Sequence, residues 1–155
     1  MNADFRDLID ALLEHDVRFL IVGGIALAAH GLPRATGDMD VWVRPDAANA
    51  KRVYAALVAF GAPLGELDVK VDDFAAADVV TQFGIPPRRI DVLTTVDGLD
   101  FDSAWRRRFH TEVLGLNVPF LSLEDMLRNK ERVRRDKDIG DIRVIRAEML
   151  RRERE

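Results

Sequence analysis

Hydrophobic residues recur at helix and strand spacings in a definite order along the first part of the chain. From Asp4 to His15 they fall three or four positions apart, a spacing that predicts an amphipathic helix. The bulky run 18–22 predicts a buried strand, and Gly23-Gly24 directly after it predicts a tight turn. An alanine-rich segment at 25–30 then predicts a short helix. The expected order is therefore helix, strand, glycine turn and helix.

The middle of the chain continues with strands and a helix that connects two of them. From Asp38 to Val43 polar and apolar positions alternate, which predicts a strand whose two aspartates project from one face. The apolar spacing over 45–60 predicts a crossover helix. Only a short strand near 67–71 is expected in the irregular stretch that follows, and 79–83 and 89–96 predict two strands joined by a turn.

The last third is predicted to contain a further strand or hairpin and two helices. Residues 113–120 predict the strand or hairpin, with a turn near Gly115 and Asn117. A capping sequence predicts a helix over 122–134, and a final helix is expected over 139–152. We therefore expect an α/β (α+β) fold with a small mixed β-sheet and helices packed mainly on one side.

The composition narrows the class of protein. A chain of 155 residues with 48% hydrophobic and 32% charged residues predicts a single domain over 1–155, with a core at 1–100 and a mainly helical extension at 101–155. The absence of cysteine excludes disulfides, thiol nucleophiles and cysteine zinc sites, and favours the cytoplasm. The N-terminus carries acids where a signal peptide carries bases, and no membrane-spanning run is expected.

The net charge of −4 conceals an uneven distribution of charge. Residues 1–103 contain 17 acids and 9 bases, whereas residues 104–155 contain 10 acids and 14 bases. The acidic part suits a metal, and the basic part suits a polyanion, although solvated arginine faces on helices would give the same count.

Three aspartates carry the predicted chemistry. Asp38 and Asp40 lie two apart on one strand, so their oxygens share a face and suit hard cations such as Mg²⁺. Asp91 lies within another apolar strand and would complete a two-metal site. Gly23-Gly24, between a strand and a helix, would let backbone N–H groups approach phosphates. The pattern predicts metal-assisted phosphoryl chemistry.

Two motifs resemble those of a known superfamily. The first is Val22-Gly23-Gly24-Ile25-Ala26 … His30-Gly31 … Arg34-Ala35-Thr36-Gly37-Asp38-Met39-Asp40-Val41. It resembles the signature of the polymerase-beta-type nucleotidyltransferases, and looks closest to the abortive-infection nucleotidyltransferase toxins and their uncharacterised bacterial relatives. The second is Leu121-Ser122-Leu123-Glu124-Asp125 … Lys130 … Arg135-Asp136-Lys137-Asp138 … Asp141-Ile142, which is similar to the helical segment after the core in these relatives.

The resemblance implies a sheet of the nucleotidyltransferase type and a role for each motif residue. Asp38, Asp40 and Asp91 would be the catalytic ligands of two Mg²⁺ ions, with Mn²⁺ as a substitute. The residues implied in binding the nucleoside triphosphate, ATP among them, are Gly23, Gly24, Arg34, Thr36, Lys130, Arg135 and Lys137. The C-terminal helices would close over the nucleotide. Without the resemblance, Lys130 reads as an ordinary solvated lysine on an arginine-rich helix.

The implied reaction transfers a nucleoside monophosphate to a hydroxyl acceptor. RNA, with a tRNA end favoured, is the expected acceptor, because some relatives act on tRNA and 104–155 is basic, including Arg106 to Arg108. A toxin-like enzyme would also have an antitoxin partner. One alternative is adenylylation of an aminoglycoside or lincosamide, for which acids of the middle segment would form the pocket: Asp68, Asp72, Asp73 and Asp78. Another is a regulatory nucleotide-binding partner without turnover.

Overall fold

The computed structural model describes residues 2–32 and 37–155. The strands in this part of the chain are β1 (Phe19–Val22), β2 (Met39–Val43), β3 (Val80–Phe83), β4 (Ile90–Leu93), β5 (Phe109–Val113) and β6 (Leu116–Phe120). The helices are α1 (Ala3–Glu14), α2 (Gly23–Ala29), α3 (Ala47–Phe60), α4 (Phe101–Arg106), α5 (Leu123–Val133) and α6 (Asp136–Glu153), with a 3₁₀ helix at Val71–Ala75.

The strands form one mixed sheet in the order β3-β4-β2-β1-β6-β5. The pairs β2–β4 and β1–β6 are parallel, and the pairs β1–β2, β3–β4 and β5–β6 are antiparallel. The centre of the sheet is the most buried part, and all four residues of β1 are buried. The mixed α/β architecture expected from the sequence is confirmed.

Local sequence explains where the main helices begin and end. The side chain of Asn2 caps α1, and the side chain of Asp46 caps α3 by accepting a hydrogen bond from Asn49. Gly61 ends α3 in the left-handed conformation at φ +94°. The helices α1 and α3 pack against each other, so their apolar faces are covered.

One expectation for an irregular segment was wrong, and the expected hairpin near Gly115 is present with different bounds. Residues 67–71 do not form a strand; the 3₁₀ helix Val71–Ala75 forms instead, because burial of Phe74 at its centre is better satisfied by a turn of helix. The hairpin turn lies at Leu114-Gly115, both with positive φ, and Asn117 lies inside β6. Strand β5 therefore begins at Phe109, four residues before the predicted start.

The C-terminal part of the chain is built into the sheet. Strand β6 pairs with the central strand β1 at Ile21 and Phe120, and β5 forms the sheet edge beside β6. Residues 101–155 therefore contribute two strands in addition to helices α4, α5 and α6. Across residues 2–32 and 37–155 we find no helix with the length and apolar character needed to cross a membrane.

Candidate active site

The sheet register places Asp40 and Asp91 side by side. Strands β2 and β4 run parallel with Asp40 opposite Asp91, and on the other side of β2 the antiparallel strand β1 places Val22 opposite Asp40. Gly23 follows Val22 as the first residue of α2. Asp38 directly precedes β2. Adjacent strands therefore bring the glycine pair and the three aspartates of the sequence motifs to one region of the sheet, and we call Asp38, Asp40 and Asp91 the strand aspartates.

Gly23 leaves the space that the Asp40 carboxylate occupies. Its backbone is in the left-handed region at φ +72°, and a Cβ atom at this position would lie 2.4 Å from Oδ2 of Asp40. Any side chain would therefore push the carboxylate away. The glycine is required by Asp40 itself, in addition to the closeness to phosphate that the sequence suggested.

The environment of Asp40 disfavours its charged form. The pKa of Asp40 is raised to about 6. Burial is the largest cause, and the negative charge of Asp91 and a hydrogen bond with Asp91 act in the same direction. Arg89 opposes the shift without cancelling it. The two carboxylates repel each other, and the positive charge nearby does not cancel this repulsion. A cation bound between them would therefore be stabilising.

Arg89 places a positive charge beside two of the strand aspartates. Its guanidinium lies 3.1 Å from Oδ1 of Asp91 and 3.4 Å from Oδ2 of Asp38. Sequence analysis did not single out this residue. The signal was available, because Arg89 and Asp91 are two apart on a strand and so share a face.

The strand aspartates meet only some of the requirements of a site for a hard divalent cation. Carboxylate oxygens are the ligands that Mg²⁺ prefers, and Asp40 and Asp91 are within hydrogen-bond distance of each other. In the described ranges 2–32 and 37–155, no three His, Asp or Glu side chains are grouped closely enough to hold a metal ion. Asp38 interacts with Arg89 in this arrangement. A complete three-carboxylate set therefore needs Asp38 and Asp91 to be released from Arg89.

A charged cleft of about 340 Å³ opens beside these carboxylates. We call it the charged cleft; its lining residues are Gly23, Gly24, Gly37, Asp38, Asp40, Arg89, Lys130, Arg135, Lys137 and Asp138. Seven of the ten site residues predicted from the sequence are in this set. Asp91 lies next to Asp40 just behind the lining, and Arg34 and Thr36 lie outside the described residues. The two ends of the chain that carry the motifs thus meet at one cleft.

Lys130 is buried, contrary to its interpretation as a solvated lysine. Its side chain is only 10% exposed, and its ammonium group lies 2.9 Å from Asp141 and 3.3 Å from Asp138. The surface of α5 faces α6 at this point, so an ammonium there needs carboxylate partners. Arg135 also pairs with Asp138, at 2.8 Å. Lys130 and Arg135 therefore join α5 to α6 while lining the cleft.

Asp138 has the opposite electrostatic environment to Asp40. Burial alone would raise the pKa of Asp138, but hydrogen bonds from Arg135 and Lys130 outweigh it and lower the pKa to about 2. The same carboxylate accepts a hydrogen bond from the backbone N–H of Arg135, so it also caps α6. We call Asp138 and Asp141 the helix aspartates.

Lys137 differs from Lys130 in being exposed at the mouth of the charged cleft. Within 2–32 and 37–155, no carboxylate forms an ion pair with its ammonium group. An exposed lysine in this position is able to bind an incoming anion without giving up an internal contact.

A second cleft of about 400 Å³ adjoins the first. The two clefts share Gly23, Asp40, Lys130 and Arg135. The second cleft is more apolar, and its other lining residues are Val22, Asp78, Val79, Val80, Leu93, Thr95, Val96, Asp97, Leu121, Met126, Asn129 and Val133. A molecule with one highly charged end and one less polar end could occupy both clefts with Asp40 between its parts.

The arginine run 106–108 is used in internal contacts. Arg107 pairs with the buried carboxylate of Asp125 at 2.9 Å, and Arg108 lies over the ring of Trp105 at 4.0 Å. Arg106 donates a hydrogen bond to Ser103. The expectation that this run contacts RNA stays a prediction, and the guanidinium groups of Arg107 and Arg108 also stabilise the region around α4 and α5.

The acids of the middle segment are dispersed. Asp78 lines the second cleft, together with Asp97. Asp68 instead pairs with Lys70, and Asp73 accepts a hydrogen bond from the Lys70 backbone. The four acids proposed for a cationic pocket therefore do not form one wall.

Comparison with known proteins gives a fold relationship and no sequence relationship. No protein-family model and no curated protein matches the chain. A solved structure from Thermotoga maritima, described as a "putative nucleotidyltransferase", is similar with a TM-score of 0.53 and 18% sequence identity. The similarity covers 96% of this chain and 88% of the other. The two proteins therefore have a similar fold over most of their lengths.

Proposed function

We propose that this chain is a metal-dependent nucleotidyltransferase that transfers a nucleoside monophosphate from a nucleoside triphosphate to a hydroxyl acceptor. The observation that carries the proposal is the charged cleft, which gathers a glycine pair, acids and bases from both ends of the chain. The fold similarity to the Thermotoga maritima protein supports the same general class.

The strand aspartates would hold the metal ions. Asp40 and Asp91 supply adjacent oxygens, and Asp38 supplies a third carboxylate once Arg89 releases it. Bound Mg²⁺ would polarise the phosphate and lower the pKa of the attacking hydroxyl. In return, the ion would relieve the repulsion that raises the pKa of Asp40.

The remaining cleft residues would bind the triphosphate. The backbone of Gly23 and Gly24 lines the cleft next to Asp40, so its N–H groups would bind phosphate oxygens. Lys137 and Arg135 are exposed and line the same cleft, so they would bind the outer phosphates. Lys130 would mainly keep α5 and α6 in position, with its remaining N–H groups directed at the phosphates.

RNA, with a tRNA end favoured, is the acceptor we propose. Its support is a group of arginines on the α5–α6 surface, next in sequence to the cleft residue Arg135. This group consists of Arg134, Arg143 and Arg146. Arg134 and Arg143 form no carboxylate ion pair in the described part of the chain, so they are able to contact a phosphate backbone.

A small cationic acceptor, such as an aminoglycoside, is the second candidate. The observation that favours it is the position of Asp78 and Asp97 on the second cleft, since both are exposed acids. A cleft of about 400 Å³ is in the range that accommodates a small molecule.

The acceptor is tested with α-labelled nucleoside triphosphates and Mg²⁺. Each triphosphate is incubated with total tRNA in one reaction and with aminoglycosides and lincosamides in another, with Asp40→Asn as the matched inactive control. We expect label in tRNA with the wild type and none with the variant. Label in the small molecules alone would establish the second candidate, and no Asp40-dependent label in any reaction would reject the enzyme.

A toxin-like role follows from the sequence resemblance and has its own test. If the enzyme disables tRNA, expression of the wild type should arrest growth of the host, whereas expression of Asp40→Asn should not. Growth arrest that is equal in both would show that toxicity has a cause other than transfer. An antitoxin partner would then have no activity to restrain.

A further inference from the structure

Among the described residues that line the charged cleft, Arg89 is the one base that forms ion pairs with the strand aspartates. Its position is fixed by the backbone, since the N–H of Met39 donates a hydrogen bond of 3.0 Å to the carbonyl of Arg89. The side chain is one-third exposed, so it faces the cleft and is not enclosed by the core. Its guanidinium is therefore held at the carboxylates by charge and not by packing.

The contacts of Arg89 use the same carboxylates that a metal would need. Nε lies 3.1 Å and a terminal nitrogen 3.3 Å from the two oxygens of Asp91, and a terminal nitrogen lies 3.4 Å from Asp38. A fork of this kind occupies both oxygens of a carboxylate at once. A cation that binds Asp38 and Asp91 therefore has to take them from the guanidinium.

We propose that Arg89 is a displaceable counter-ion of the strand aspartates, and that a divalent metal ion binds by taking its place at Asp38 and Asp91. The inference rests on the metal site of the proposed function. In the absence of metal, Arg89 limits the repulsion among three carboxylates. In the presence of metal, it is displaced toward the phosphate side of the same cleft, where an anionic substrate gives it a new partner.

The other bases of the charged cleft do not act as counter-ions of Asp38 and Asp91. Lys130 is engaged with the helix aspartates, and Arg135 pairs with Asp138. Lys137 lines the cleft without an ion pair in the described part of the chain. Arg89 alone among these four approaches Asp38 and Asp91, so its removal should affect the metal site first.

The proposal predicts that removing the guanidinium tightens metal binding. We expect Arg89→Gln to bind Mn²⁺ about tenfold more tightly than the wild type without nucleotide, because a partly exposed ion pair and its repulsion of the metal are both lost. The affinity is measured at fixed pH and salt by the loss of the free Mn²⁺ signal in electron paramagnetic resonance. Without metal, the variant should also melt at a lower temperature, and saturating Mn²⁺ should raise its melting temperature more than that of the wild type.

Arg88→Gln is the matched control. Arg88 is the preceding residue and pairs with Asp4 at 3.6 Å, away from the strand aspartates, so its Mn²⁺ affinity should equal that of the wild type. Arg89→Lys keeps the charge without the fork and should give an intermediate affinity, which also preserves the test if the glutamine variant fails to fold. Asp40→Asn defines which binding belongs to the site.

The outcomes separate this inference from the function on which it rests. Tighter Mn²⁺ binding in Arg89→Gln, with Arg88→Gln unchanged, supports the displaceable counter-ion. If the wild type shows Asp40-dependent binding and Arg89→Gln binds no more tightly, the metal site stands and the role of Arg89 is overturned. If no protein in the series shows Asp40-dependent Mn²⁺ binding at millimolar metal, both the metal site and the counter-ion are overturned.

Discussion

Asp38 and Asp40 of the strand aspartates and Asp138 of the helix aspartates line the same cleft, where Asp40 and Asp138 have opposite electrostatic environments. Among the strand aspartates, the pKa of Asp40 is raised to about 6, mainly because the group is buried beside Asp91. Among the helix aspartates, the pKa of Asp138 is lowered to about 2, because Arg135 and Lys130 overcome the effect of burial. Burial alone would raise the pKa of both aspartates, so the difference comes from their partners, which are two bases at Asp138 and a second carboxylate at Asp40.

Formal charges express the same contrast. Counting only the residues whose contacts are described above, three acids and Arg89 give the strand group a net charge of 1 − 3 = −2. Two acids with Lys130 and Arg135 leave the helix group at 2 − 2 = 0. A group with equal numbers of acids and bases stabilises the fold, whereas a group with an excess of acids attracts a further cation. This difference supports the proposal that the strand group is the chemical site and the helix group is its support.

The largest expected effect comes from Asp40→Asn. Loss of a metal ligand removes several kcal/mol of transition-state stabilisation, so transfer should fall by about a thousandfold. The metal-free protein should unfold at the same or a higher temperature, because a repelled carboxylate is gone. Transfer of labelled nucleotide and thermal melting in EDTA measure the two effects. Asp7→Asn, on the exposed side of α1, should change neither, and unimpaired transfer in Asp40→Asn would disprove the site.

The reverse pattern is expected for Asp138→Asn. Removing the Asp138 carboxylate from a buried ion cluster takes one of two carboxylate partners from Lys130 and breaks the ion pair with Arg135, so the free energy of unfolding should fall by about 3 kcal/mol. Urea denaturation measures the change. Asp136→Asn is the control on the same helix, since Asp136 is exposed and its loss should cost only about 0.5 kcal/mol. Equal stability of Asp138→Asn and wild type would show that the two groups do not differ as described.

The two pKa shifts predict that the stability of the metal-free protein is highest near pH 4. As the pH falls through about 6, folded Asp40 binds a proton before the unfolded chain does, so stability rises. As the pH falls from about 4 to about 2, the unfolded chain binds a proton before folded Asp138 does, so stability is lost. Each limb should amount to roughly 2 kcal/mol in urea titrations with EDTA. Asp40→Asn should flatten the upper limb alone, and Asp138→Asn the lower limb alone.

The smallest effect concerns the exposed bases at the cleft mouth. Lys137→Ala should weaken binding of a non-hydrolysable triphosphate with Mg²⁺ by about 1.5 kcal/mol, with the stability unchanged, because one charge-assisted phosphate contact is lost. Arg135→Ala should weaken binding similarly, and Lys130→Ala should also lower stability. Calorimetry measures the affinities, and Lys51→Ala on the exposed face of α3 is the control. Unchanged affinity in both Lys137→Ala and Arg135→Ala would restrict the functional region to the strand group.

The sequence predicted the parts of the fold that have strong periodicity. Helices α1, α3, α5 and α6 and strands β1, β2, β3 and β4 lie where hydrophobic spacing placed them, within a few residues. The hairpin β5–β6 was placed late because its turn begins at Leu114, and leucine at φ +52° carries no turn signal. The 3₁₀ helix was missed because a single buried aromatic residue has no period to detect.

The site was predictable where its chemistry is local and not where it depends on contacts between helices. The Asp-x-Asp spacing on β2 and the apolar surroundings of Asp91 pointed to neighbouring strands, which the register shows for Asp40 and Asp91. The burial of Lys130 could not be predicted, because its partner Asp138 is eight residues away on another helix. Arg89 was missed because an arginine at a strand end is ordinarily a flanking residue that remains in solvent.

The contact between Gly23 and Asp40 has a consequence for inheritance. A mutation that gives residue 23 any side chain would displace the Asp40 carboxylate. The effect on the site would resemble the loss of Asp40, although residue 40 is still an aspartate. A shorter residue at position 40 would remove this clash, but the left-handed backbone at position 23 would still favour glycine. As long as the Asp40 carboxylate is kept, we expect residue 23 to remain glycine.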